Sequence, residues 1–139
     1  MNIEERVKLA LDTHHQGYNC VQAVIAGYLD VLDISKKDAM KMGYGLGGGL
    51  GMMREVCGTL IGAGMVMSHK YGKEEADPKL KMEIYKKVAA LGMEFEEIHG
   101  SVVCGELLGL RETDKKVNKK SCDELIEEVV RLLEKYIIE

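Results

Sequence analysis

A single proline, Pro78, in 139 residues, with apolar positions recurring at intervals of three and four, restricts this chain more than any other feature. No stretch alternates apolar and polar residues as a half-buried strand does, and strong helix formers fill the segments between glycines. The chain therefore reads as all-α: one domain over residues 1–139, a compact bundle of about six helices with a glycine-rich loop. The first helix is expected over about 3–16, stopped by Gly17 at a position suited to left-handed backbone. A second should run from Cys20 to about Leu32, and a short one capped by Ser35 to about Met42. Further helices are expected over about 54–71, from Pro78 to about Gly100, over about 102–108, and from Cys122 to about Ile138. The last carries the stripe Leu125, Ile126, Val129, Val130, Leu133, Ile137, which repeats at the helical period.

Six glycines fall between Gly43 and Gly51 in "GYGLGGGLGMMREVCG". "GYGLGG" has the spacing of a dinucleotide fingerprint, but that motif needs a buried strand before it, and here "KKDAMKM" is helical in composition. The lysine and hydroxyl that close a phosphate loop are absent as well. The glycines instead shape the backbone around Cys57, and Gly58 and Gly62, four apart, let another helix approach closely beside it.

The formal net charge of −4, with lysines scattered among acids, lacks the basic stripe of a nucleic-acid binder. The amino terminus carries charges where a signal peptide is expected to have an apolar core, and no apolar run approaches the roughly 18 residues of a membrane span. The expectation is a cytoplasmic protein with neither nucleic acid nor membrane as partner. In a reducing compartment, thiols tend to serve metals or redox chemistry.

The four cysteines, Cys20, Cys57, Cys104 and Cys122, are separated by 37, 47 and 18 positions. With no CxxC, they make no zinc ribbon or thioredoxin motif, and any joint action must be assembled by the fold. All four fall in or near a helix start. Asn19 with Gln22 and Ser121 with Glu124 form capping boxes that put Cys20 and Cys122 at first helical positions, and Ser101 is expected to cap a helix with Cys104 third. Unpaired amides there favour a thiolate, whereas Glu55, Glu106, Asp123 and Glu124 oppose it if they face the sulfur. His14, His15, His69 and His99 are expected at the surface or at helix ends, with metal ligation a lesser alternative.

The segments "GYNCVQAV", "GLGGGLGMMREVCGTLIGAGMVMSHKYG", "HGSVVCGELLG" and "SCDELIEEV" resemble, in order and over nearly the whole chain, the C_GCAxxG_C_C family, to which redox activity is ascribed. The resemblance implies a small helical protein with Cys20, Cys57, Gly58, Gly62, Cys104 and Cys122 as the matching positions. A related domain accompanies haem in split-Soret cytochromes, which implies electron transfer, although this chain has no CxxCH for covalent haem. Thr59 departs from the alanine usual after "CG", and its hydroxyl is placed to meet the Cys57 sulfur or its own helix. Gly58, Thr59 and Gly62 are thus the candidate binding positions around Cys57.

Three readings of the cysteines remain open on the sequence. Cys57 attacks and Cys104 or Cys20 resolves in thiol–disulfide exchange with a redox partner. Alternatively, Cys20, Cys57, Cys104 and Cys122 ligate an iron–sulfur cluster or a metal ion. In the third, the thiols are inert core residues of a helical interaction protein with no cofactor. A homo-oligomer is compatible with each.

Overall fold

The computed structural model describes residues 1–137, and the expected end of the last helix near Ile138 lies outside them. The architecture is all-helical. In chain order the helices are α1 (Ile3–His15), α2 (Cys20–Ala26), α3 (Lys36–Gly43), α4 (Gly47–Leu50), α5 (Gly58–Tyr71), α6 (Pro78–His99), α7 (Cys104–Leu107) and α8 (Cys122–Ile137). None of them is long and apolar enough to cross a membrane.

Local chemistry sets most of the starts. Asn2 and Asn19 close capping boxes with Glu5 and Gln22, the Ser35 hydroxyl accepts the Asp38 amide, and Asp77 caps α6 with Pro78 in its first turn. Three expectations need correction. The second helix stops at Ala26, short of Leu32, because the chain turns through a 3-10 segment, Leu29–Val31, that lets Tyr28 plunge into the core. The glycine run, expected as a loop, contains α4, but Gly48 and Gly49 there are left-handed at φ +64° and +67°, so it is a reversal of the chain more than a helix. The helix expected from about Arg54 begins only at Gly58, because residues 54–57 pair with another segment.

Helix α2 lies at the centre. Val21, Ala23 and Val24 are fully buried between α1, α5 and α8. Gly62 makes the α2–α5 crossing possible: a Cβ there would lie 2.9 Å from the Val21 carbonyl and 3.0 Å from Val24 Cβ. The stripe of α8 is buried as its period requires, and the Tyr28 hydroxyl donates to the Val130 carbonyl at 2.6 Å.

His99, expected near a helix end as a cap or exposed to solvent, is the last residue of α6 but is 4% exposed, its ring lies 4.6 Å from that of Phe95, and neither ring nitrogen has a partner among the described residues. Burial holds the imidazole below its ordinary 6.5, aided by Lys120 and opposed by Glu128 and Glu124. The unfolded chain then binds more protons than the folded one as pH drops below about 6.5, so stability is complete above that value and declines beneath it. His99→Phe should raise stability by about 1 kcal/mol at neutral pH and flatten the acid slope. Urea unfolding at pH 7.5 and 5.5 checks this, and an equal slope in the variant would refute it.

Candidate functional site

The cysteines reach one place because the fold folds their four helix starts together. The Cys20 end of α2 is held against the glycine run by Asn19, whose side-chain amide donates to the carbonyls of Gly43 and Tyr44 at 3.0 and 3.1 Å. Residues 54–57 then lie antiparallel to 102–105. The Cys57 amide donates to the Val102 carbonyl, the Cys104 amide to Glu55, and the Gly105 amide to Arg54. This short pairing brings Cys57, the N-cap of α5, alongside Cys104, the first residue of α7. Cys122 opens α8 behind its Ser121–Glu124 capping box.

Cys104 is therefore first in its helix and not third. Ser101 does not cap that helix; its hydroxyl accepts the Val103 amide at 2.9 Å and donates to Glu106 at 2.6 Å.

All four cysteines line a single cavity of about 210 Å³, with an apolar wall that includes Leu108 and Leu125. Cys57 and Cys104 are 4% and 6% exposed, Cys20 and Cys122 are half-buried, and all are free thiols. Glycines make the room. A Cβ on Gly58 would fall inside the radius of the Cys20 sulfur, and one on Gly49 would lie 2.7 Å from Cys104 Cβ. Leu50, Met52 and Arg54 share left-handed backbone at φ +68°, +74° and +59° without being glycine, a strain of about 1–3 kcal/mol each that the loop around the site carries.

Donors converge on the sulfurs. The Thr59 hydroxyl lies 2.9 Å from Cys57 Sγ, the amides of Thr59 and Leu60 face the same sulfur, and the Gly48 amide faces Cys20. The Arg54 guanidinium donates to Cys104 Sγ at 3.7 Å. The acids, by contrast, turn away: Glu55 pairs with Arg111, Glu106 with Ser101 and Lys115, and Glu124 with Ser121. Asp123 adds an opposing charge at Cys122.

At Cys20, Cys57 and Cys122 desolvation nonetheless outweighs the donors. Burial, then the sulfurs of Cys57 and Cys122, push the Cys20 thiol up to about 12, and burial also raises Cys57 and Cys122. Metal-free, these thiols are weak nucleophiles at neutral pH. Among the described residues, no three cysteine sulfurs lie within 4.8 Å of one another. Four thiolates on one zinc would sit about 3.8 Å apart, given Zn–S of about 2.3 Å and tetrahedral angles. Holding one zinc through all four would require the sulfurs to draw together.

Sequence reasoning missed Arg54 and Met52, and named His14 without placing it here, where all three line the cavity. Arg54 and Met52 had no local signal, since their side chains arrive through left-handed backbone. His14 could be found only by knowing that α1 ends beside the start of α8.

A protein of Archaeoglobus fulgidus, named only "Uncharacterized protein", is 24% identical over 137 residues, covering 93% of this chain and 91% of that protein. No solved structure matches the chain. Residues 18–136 match the family described as "Putative redox-active protein (C_GCAxxG_C_C)", a span that runs from just before Cys20 to beyond Cys122. The chain belongs to the C_GCAxxG_C_C family.

Proposed function

We propose that Cys20, Cys57, Cys104 and Cys122 act as one redox centre that ligates an iron–sulfur cluster, and that the protein carries electrons to and from a redox partner. The observation that carries this reading is the convergence of four sulfurs, from four separate helix starts, on one small apolar cavity. When bound, such a cluster supplies one-electron transfer at a potential set by charge, hydrogen bonds to sulfur and solvent exposure. The chain's own residues would tune that potential. The Thr59 hydroxyl and the Gly48, Thr59 and Leu60 amides donate to thiolates, Arg54 adds positive charge at Cys104, and Leu108 and Leu125 keep water out. Thiols that resist ionisation when empty lose that penalty beside a cationic group, which couples loading to proton release. Four free thiols suit a reducing compartment such as the cytoplasm.

A second reading rests on the pairing of 54–57 with 102–105, which puts Cys57 beside Cys104. In it the two thiols together give up two protons and two electrons to a partner's disulfide, forming the Cys57–Cys104 disulfide while the partner becomes a dithiol.

Anaerobic purification with iron and acid-labile sulfide analysis separates the two. Iron and sulfide in the wild-type protein, lost in Cys57→Ser and Cys104→Ser, are expected. Metal-free protein that reversibly loses two thiols on mild oxidation would favour the second reading. Four thiols that neither bind iron nor oxidise in the folded protein would defeat both.

A further inference from the structure

We propose that His14, His15 and Asp123 form a second metal site, for a divalent transition ion such as zinc, on the rim of the cysteine cavity. The three come from opposite ends of the chain. His14 and His15 occupy the last turn of α1, and Asp123 is the second residue of α8. Their juxtaposition is made by the packing of α1 on α8. His14 Nδ1 lies 2.7 Å from one carboxylate oxygen of Asp123, and His15 Nε2 lies 2.7 Å from the other. One ligand atom from each residue falls within 4.8 Å of the other two, the one such trio among the described residues.

The chemistry favours a cation on three counts. Two imidazoles and one carboxylate are the donor set of open zinc and ferrous sites, in which water completes the shell. The pair of histidines sits at the carbonyl end of α1, where the helix dipole attracts positive charge. The nitrogen and oxygen donors also differ from the thiolates next to them, so a borderline ion and a thiophilic group need not compete. Ligand atoms on a tetrahedral zinc lie about 3.3 Å apart, from metal–ligand lengths of about 2.0–2.1 Å. Seating the ion therefore requires the 2.7 Å contacts to open and the wider separations of the trio, within 4.8 Å, to close, with each neutral imidazole carrying its N–H on the ring nitrogen that faces away from the ion. His15, more than half exposed, can make that adjustment freely. His14 lines the cysteine cavity and Cys122 precedes Asp123, so a bound ion would place its charge beside the four sulfurs. The proposal does not depend on what the cysteines hold.

The test is zinc and cobalt(II) titration of the anaerobic full-length protein, compared with Asp123→Asn, His15→Gln and, as a nearby acidic control, Asp12→Asn. Zinc-edge X-ray absorption should show an equivalent with nitrogen and oxygen neighbours at about 2.0–2.1 Å, distinct from any sulfur shell at about 2.3 Å. That equivalent should weaken by at least about tenfold in Asp123→Asn and in His15→Gln and persist in Asp12→Asn. Cobalt bound there should lack the thiolate charge-transfer absorption that cysteine ligation produces. Circular dichroism shows whether each variant keeps its helices, and His15→Gln, at an exposed position, stands as the readout if Asp123→Asn does not fold. Zinc found only in a sulfur shell, or affinity unchanged in both variants, would overturn the site.

Discussion

Gly58→Ala is expected to displace Cys20 from the cavity while leaving the helices in place. The added methyl would overlap the Cys20 sulfur and approach Val21 Cγ2 to 3.2 Å. The colliding sulfur is the tip of a side chain and can swing away, so the backbone need not move. Alanine is also worth up to about 1 kcal/mol over glycine within a helix, which offsets part of the crowding. Stability should therefore stay within about 1 kcal/mol of wild type, and the loss should appear in the site. Bound iron affinity should fall by roughly 10–100-fold, and Cys20 should become more reactive towards iodoacetamide. Gly92→Ala is the control, because nothing lies within 4 Å of its added methyl. Unchanged Cys20 alkylation in Gly58→Ala would refute the geometric argument independently of whether the protein holds iron.

Asp30→Ala should cost about 2 kcal/mol. Arg6 is 2% exposed, forks onto both carboxylate oxygens of Asp30, donates to the Gly27 carbonyl at 3.0 Å, and lies 4.6 Å over the Tyr28 ring. Removing the carboxylate leaves a guanidinium in the interior whose Nε already has no partner among the described residues. Breaking a fully buried pair costs about 3–5 kcal/mol, and the figure here is lower because Asp30 is about one-third exposed. The Arg6 hydrogen bond holds the Asp30 carboxyl below its ordinary 3.8. A depressed folded value means the contribution is present above about 3.8 and is lost as pH falls through the folded value. The deficit of Asp30→Ala should thus be full at pH 7 and shrink below pH 3.8. Denaturant unfolding at the two ends of that range tests it. A deficit that grows in acid would have the wrong sign for this pair.

Where a candidate residue's place depended on its near neighbours, the chain declared it. Asn19 with Gln22 and Ser121 with Glu124 announced the starts of α2 and α8, and Cys20 and Cys122 occupy the first positions those boxes imply. The apolar period of α8 likewise named its buried face. Residues joined over long separations did not declare themselves. The pairing of 54–57 with 102–105 spans nearly fifty positions and consists of backbone hydrogen bonds, which no side-chain pattern encodes. Arg54 reaches Cys104 only because its own backbone is left-handed, a conformation that glycine or asparagine would have signalled and arginine hides. Ser101 misled for a physical reason: Glu106 offers its hydroxyl a charged acceptor, and the next helix starts without it.

The last sulfur belongs to the last helix, with consequences for biogenesis. During synthesis from the amino terminus, Cys20, Cys57 and Cys104 all emerge from the ribosome before Cys122, and α8 also supplies the core stripe on which α1, α2 and α5 close. A nascent chain therefore holds three sulfurs and no finished cavity wall. The cavity therefore closes around four sulfurs only once α8 has emerged and packed.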